Sequence, residues 1–222
     1  MADPRTTTPR ERYRSQVRAE IKERAWEQIA AAGASALSLN GIAKQMGMSG
    51  PALYRYFAGR DDLITELVRD AYRSLADAFA AAARAEPGLP GLAHALRHWA
   101  LEDPQRYFLV YGTPVPGYRA PDDITGIARE IMATLLDACA EPAAAAPGAC
   151  SGPAGPALDE HLAAHREWTG GHPAPEAGLR RALAVWTRLH GVLSLELAGH
   201  FTGMGFDPAL LFAAELESVR TL

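Results

Sequence analysis

Apolar side chains recur at helical spacing along almost the whole chain. Val17, Ile21, Ala25, Ile29 and Ala32 form one stripe, which predicts a helix from Arg14 to Ala32 closed by Gly33. Leu39, Ile42, Ala43 and Met46 follow at i, i+3, i+4, i+7 and predict a short second helix, broken by Gly47. Ser38 is placed to cap it, but Gly41 stands where a capping box wants Glu or Gln. Ser49 and Pro51 open a third helix, on which Leu53, Tyr56 and Phe57 resume the apolar face. After the turn Ala58-Gly59-Arg60, Asp61 and Asp62 start a long helix at the end where acids suit its dipole. Ile64, Leu67, Val68, Ala71, Leu75, Ala78 and Phe79 carry its inner face to Ala85.

Breakers divide the chain beyond Ala85. Glu86 to Gly91 holds two prolines and two glycines, and short helices are expected at 92–101 and 104–111, the latter ended by Gly112. Residues 113–121 form a Pro/Gly loop. A helix from Asp122 carries Ile124, Ile127, Ile131, Leu135 and Ala138, and 141–156 reads as a surface loop or a disordered insert. Further helices are expected at 158–168, 175–202 and 207–222, with breaks at Gly170-Gly171 and Gly203–Gly205. No strand-like alternation of useful length occurs, so the predicted fold class is all-α.

Two patterns carry function. Residues 38–57 are two short helices across a glycine turn, the helix-turn-helix shape whose second helix can enter a DNA major groove. The penultimate helix is apolar on two faces: Leu179, Leu183, Trp186, His190, Leu193 and Leu197 on one, Ala182, Val185, Leu189 and Val192 on the other. A helix buried on two sides implies a second copy of the chain against the last two helices, a homodimer.

Composition adds an asymmetry. The 222 residues are 48% hydrophobic and 22% charged with a net charge of −4. Residues 1–60 have ten basic and five acidic side chains, net +5, whereas 61–222 carry a net −9. A basic N-terminal quarter on an acidic body fits one face that meets nucleic acid and one that avoids it. Residues 1–13 read as an arm made basic by Arg5, Arg10, Arg12 and Arg14: a solvated tail, or a strand of charge lying along phosphates or into the minor groove. The expected organisation is arm 1–13, DNA-binding domain 14–60, and ligand-binding and dimerisation domain 61–222. The two domains share the long helix without a linker.

Other chemistry is thin. Cys139 and Cys150 have no metal-type spacing, and free thiols or a disulfide both stand open. His94/His98 and His161/His165 are i, i+4 pairs, but neither has an Asp, Glu or Cys placed to complete a metal site, so no metal and no cofactor is expected. No G-x-G-x-x-G, P-loop or G-x-S-x-G run occurs, which argues against an enzyme. No run approaches the ~18 apolar residues of a membrane span, and the expected location is cytoplasmic.

Ser38-Leu39, Ile42-Ala43, Gly47, Ser49, Leu53-Tyr54, Tyr56-Phe57 and Leu63 resemble the signature of TetR-type transcriptional regulators over residues 15–64. Tyr56 stands where His is common and Arg60 where Lys is common. PQRYFLVYGTPVPGY and WTRLHGVLSLELAGHF resemble the ligand half of a subgroup with a Trp…His-Gly element, here Trp186, His190 and Gly191. The resemblance implies a homodimer, usually a repressor, that leaves a double-stranded DNA operator when a small-molecule effector binds. It also implies that Tyr54 touches a phosphate or a base.

The expected DNA-facing set is Ser38, Lys44, Ser49, Gly50, Pro51, Tyr54, Arg55, Tyr56 and Arg60. Lys44 and Arg60 flank the turn and can neutralise phosphates. Base reading rests on Ser49, Tyr54, Arg55 and apolar contact from Pro51 or Ala52, because Gly50, Pro51 and Ala52 offer little hydrogen-bonding chemistry. Candidate ligand-binding residues are Trp99, Tyr107, Phe108, Tyr111, Tyr118, Met132, Trp168 and His190; most of the aromatics read as plain core, with Trp99, Tyr107 and Tyr111 the foremost ligand contacts, and His190 reads as a core or interface histidine. The alternatives are a ligand-independent DNA-binding protein and, behind it, an all-α enzyme.

Overall fold

A computed structural model describes residues 8–140 and 154–220. Among the described residues ten α-helices run in the order α1 (Pro9–Ala32), α2 (Leu39–Gln45), α3 (Gly50–Leu53), α4 (Arg60–Ala85), α5 (Leu89–Glu102), α6 (Pro104–Tyr111), α7 (Asp122–Cys139), α8 (Ala154–Ala164), α9 (Glu176–Leu197) and α10 (Pro208–Arg220). Two 3₁₀ turns, Ala34–Ala36 and Glu167–Thr169, join them, and no strand occurs among the described residues.

The contacts divide the chain into two compact units. One comprises residues up to Asp70 with Phe108–Ala120; the other comprises Ala71–Tyr107 and the chain from Pro121 onward. The division falls inside α4 rather than at residue 60, so this helix contributes to both.

In the first unit, Val17, Ile21, Ala25 and Ile29 bury against a core completed by Leu39, Ile42, Leu53, Phe57, Leu63 and Leu67. Ala32 is exposed and leaves the stripe. Helices as short as α2 and α3 are not stable alone; tertiary packing holds them. The turn between them is a Schellman motif: Gly47 takes φ +65°, its N–H bonds Lys44 O at 3.2 Å, and Met48 N–H bonds Ala43 O at 2.8 Å.

Three expectations here need correction. Helix α1 begins at Pro9, so residues 9–13 are not a loose arm. Thr8 and Glu11 form a capping box, with Glu11 N–H to Thr8 Oγ1 at 3.2 Å and Thr8 N–H to Glu11 Oε2 at 2.8 Å, and proline opens the first turn. The exposed Glu11 carboxyl is held below its ordinary range by those bonds from the Thr8 backbone and hydroxyl. Arg5 lies outside the described residues.

The third helix is shorter than expected. It ends at Leu53, Tyr54 is its C-cap, and the chain tightens into i→i+3 bonding, with Tyr56 N–H to Leu53 O at 2.8 Å. Arg18 takes the Tyr56 carbonyl at 2.5 Å and stacks 4.2 Å from the centre of the Phe57 ring, removing that carbonyl from any continuing helical ladder.

The penultimate helix stops at Leu197, not near Thr202. Gly199 at φ +77° makes a second Schellman motif, with Gly199 N–H to Glu196 O at 2.9 Å and His200 N–H to Leu195 O at 2.9 Å.

In the second unit α9 lies centrally, packed by α5, α7, α8 and α10. Its second expected stripe is buried in full, at Ala182, Val185, Leu189 and Val192. The first stripe is mixed: Leu179 and Leu193 are buried, while Leu183, Trp186, His190 and Leu197 are half-buried. Arg97 and Glu196 tie α5 to α9 through two parallel bonds of 2.5 and 2.8 Å. Helix α8 starts at Ala154, earlier than expected, and Trp168 sits in the 3₁₀ turn rather than in a helix. Of the expected loop at 141–156, residues 141–153 lie outside the described residues and the remainder is helical.

Candidate functional site

The DNA-facing candidates lie on α2, α3 and their flanks. Leu53 and Phe57 are fully buried and pin α3 and its following turn to the core. Between them Tyr54 points away and is 48% exposed, and Arg55 is exposed beside it. Tyr56 is half-buried. Ser49 and Pro51 are exposed at the start of α3. Ser49 is the N-cap residue, but its hydroxyl makes no capping bond. Gly50 is half-buried, and a Cβ there would meet Asn40 Oδ1 at 3.4 Å. Lys44 is exposed, with no ion pair among the described residues.

Ser38 and Arg60 do structural jobs. Ser38 Oγ accepts Gly41 N–H at 3.2 Å, and Gln28 Oε1 from α1 accepts Ser38 N–H at 2.9 Å. Arg60 donates to Ala34 O at 3.0 Å and Ser35 O at 3.3 Å and lies 3.4 Å from Asp61. Its guanidinium therefore ties the 3₁₀ turn to the start of α4, whereas Lys44 and Arg55 hold no such bonds among the described residues.

The ligand candidates separate. Phe108, Tyr111 and Tyr118 belong to the first unit and are half-buried. In the second unit, Met132 and Trp168 are half-buried on α7 and on the second 3₁₀ turn. Trp99, Tyr107 and His190 come together with Trp186 in a chain of rings across α5, α6 and α9. Centroid separations are 6.4 Å for Trp99–Tyr107, 5.6 Å for Tyr107–His190 and 4.2 Å for Trp186–His190.

Several polar atoms in this cluster pair with one another. Tyr107 Oη lies 3.0 Å from His190 Nδ1 and 2.8 Å from Ser194 Oγ, and donates to His190 O at 3.3 Å. Trp99 Nε1–H bonds Ser74 Oγ at 2.8 Å, and Arg106 lies 4.8 Å from the Trp99 ring centre while donating to Trp99 O. Burial pushes the His190 imidazole down to about 4, so it is neutral near pH 7 and can act as a hydrogen-bonding group rather than a cation. Burial raises the Tyr107 phenol, against a smaller lowering by Ser194. Ser74 and Ser194 escaped sequence reasoning. Ser194 had a signal, since it stands one helical turn beyond His190 on the same stripe.

A cleft of about 200 Å³ between α4, α5 and α7 is lined by Ala83, Pro87, Gly88, Leu92, Thr134, Asp137 and Ala138, none of them ligand candidates. His94 and His98 are exposed. His161 and His165 stack at 4.2 Å, and His165 Nδ1 lies 2.9 Å from the His161 carbonyl. Among the described residues, no three His, Cys, Asp or Glu side chains gather as a metal site. Cys139 is a buried thiol pushed up to about 11 by that burial, and Cys150 lies outside the described residues. Among the described residues no helix is long and apolar enough to cross a membrane.

Known proteins resemble this chain over nearly its whole length. Residues 21–67 match the family described as bacterial regulatory proteins, tetR family, and residues 89–219 match the tetracyclin repressor-like C-terminal domain. HTH-type transcriptional regulators of Mycobacterium bovis and Mycobacterium tuberculosis are each 34% identical over 212 residues, covering 91% of this chain and 90% of theirs. The crystal structure of the putative regulatory protein SCO4313 is 69% identical, with a TM-score of 0.84 over 96% of this chain and 98% of that one. A protein from Rhodococcus sp. RHA1 shares the fold at 22% identity, with a TM-score of 0.64 over 92% of this chain and 93% of its own.

Proposed function

The chain belongs to the TetR family and is a DNA-binding transcriptional regulator; from that premise we propose that it is a homodimeric repressor, released from a near-palindromic operator by a small-molecule effector. It meets that operator in the cytoplasm. The observation that carries the operator reading is the placement of Tyr54. It stands out from a turn whose two neighbouring apolar anchors, Leu53 and Phe57, are wholly buried. Ser49, Pro51, Arg55 and Lys44 share its exposure, so bases meet Ser49, Tyr54 and Pro51 while Lys44, Arg55 and Tyr56 hold phosphates.

The dimer forms through α9 and α10. Gly191 and Leu195 on α9 and Leu210 on α10 present small or apolar surface outward, with Leu210 70% exposed. Covering such a face with its own copy gives a self-complementary helix bundle. Two reading heads then span successive major grooves. The effector acts at the ring cluster of Trp99, Tyr107, His190 and Trp186, where apolar faces surround a few placed polar groups. Helix α4 contributes residues to both units, and a shift of that helix alters the separation of the heads.

In vitro selection of bound fragments tests this reading, followed by a screen for metabolites that relieve binding. The expected outcome is an inverted repeat with half-sites about one helical turn apart, or a multiple of it. A chain that retains all fragments alike, or whose affinity no metabolite changes, is not a ligand-relieved repressor.

A further inference from the structure

The first turns of α1 lie beside the turn after α3 and enclose a groove of about 290 Å³. Its walls are Arg10, Tyr13 and Arg14 on one side and Arg55 and Tyr56 on the other. We propose that this groove is a clamp for a backbone phosphate of duplex DNA, outside the bases read by α3. The inference rests on the operator-binding reading and extends the DNA contact to the start of α1.

Three observations support it. The wall chemistry is cationic and phenolic throughout, with no acidic residue, so it suits an anion that accepts several hydrogen bonds. Arg10, Arg14 and Arg55 are exposed and hold no ion pair among the described residues, while Arg18, the next residue on the same α1 stripe, is fully engaged. Arg18 bonds the Tyr56 carbonyl and lies 3.1 Å from Glu66. Tyr13 is 65% exposed, an aromatic side chain left outside the core on a groove that three arginines also line.

The geometry is also prepared in advance. Residues 10, 14 and 18 stand at i, i+4, i+8 on one face of α1, and Tyr13 is adjacent to that face. The Thr8–Glu11 capping box holds the first turn helical, so the arginines are presented from a helix rather than from a mobile tail. Arg18 fixes the opposite wall by binding the backbone of Tyr56. A preformed set of donors loses less conformational entropy on meeting a phosphate than a disordered arm does.

The test is binding by the full-length protein to its selected operator and to a random duplex across a salt series. In R10Q/R14Q both affinities fall by the same factor, roughly threefold to tenfold, and the plot of log affinity against log salt becomes shallower by about 0.9 for each phosphate contact removed. The selected sequence stays the same, because phosphate contacts carry no base information. R12Q changes an exposed arginine that does not line the groove and leaves the slope as it was. Thermal midpoints of all variants match the native chain, since these side chains lie outside the core.

A neutral methylphosphonate placed at one backbone position at a time locates the contact, and at that position alone R10Q/R14Q loses nothing more. An equal loss in R12Q, an unchanged slope in R10Q/R14Q, or loss at every methylphosphonate position overturns the clamp while leaving operator binding intact. Inorganic phosphate at matched ionic strength leaves native binding unchanged; competition by it reassigns the groove to a free anion and also overturns the proposal. Failure of the native chain to select any duplex sinks the operator reading itself.

Discussion

Gln28 on α1 accepts the backbone N–H of Ser38 at 2.9 Å, and so completes from a neighbouring helix the cap that α2 cannot complete itself. Ser38 Oγ satisfies Gly41 N–H, but Gly41 has no side chain to return the bond. The carboxamide also packs where a Cβ on Gly41 would stand, 2.9 Å from Gln28 Nε2. The glycine and the glutamine therefore act as one device that fixes the start of α2 on α1.

Gln28→Ala is expected to cost about 1 kcal/mol of stability, the usual scale of a lost cap. Because α2 supports α3, operator affinity falls with it while sequence preference is retained. Denaturant melts and a gel-shift titration check both effects; a change in preferred sequence would show that Gln28 does more than anchor the helix.

Tyr54→Ala is expected to abolish operator binding while leaving the thermal midpoint within about 1 °C per few tenths of a kcal/mol of the native value, as for an exposed site. Tyr54→Phe separates the hydroxyl from the ring. Unchanged affinity of Tyr54→Ala in gel shift removes this residue from the reading set.

His190 links stability to pH. Its folded imidazole is held near 4 by burial, against an unfolded value of 6.5. Between those values the unfolded chain binds more protons, so stability is full above pH 6.5, declines as pH falls towards 4, and levels off below it. The loss attributable to this group is at most about 3 kcal/mol. His190→Gln flattens that part of the stability–pH curve, read by urea melts from pH 4 to 7; parallel curves for the two proteins contradict the assignment.

Leu210→Glu places a charge on the outward face of α10, where the native side chain is 70% exposed. Sedimentation equilibrium is expected to show a monomer, with operator affinity reduced because two half-sites are no longer held together. A dimer of native stability in this variant relocates the interface away from α10.

Much of the fold was legible because its signals are local. The 3.6-residue stripes of α1, α4, α7 and α9 mark buried faces, and Gly47 marks the helix-turn-helix bend through a φ that a side chain resists. The boundaries that differ from expectation had local signals too. Thr8-Pro9-Arg10-Glu11 is a capping box with proline in the first turn, overshadowed by its own proline and threonines. Gly199 ends α9 before the more conspicuous Gly203 and Gly205 are reached.

Helical periodicity and glycine punctuation depend only on neighbouring residues, and they are enough to specify an all-α chain with a helix-turn-helix near its basic end and a penultimate helix apolar on two faces. Tertiary structure decided which polar side chains remain available. Arg60 is tied to the carbonyls of Ala34 and Ser35, Gln28 is a cap in trans, and Tyr107, His190 and Ser194 share one hydrogen-bonded cluster. These pairings join residues 10 to 87 positions apart, and no local pattern encodes the partner of a hydrogen bond that only packing creates.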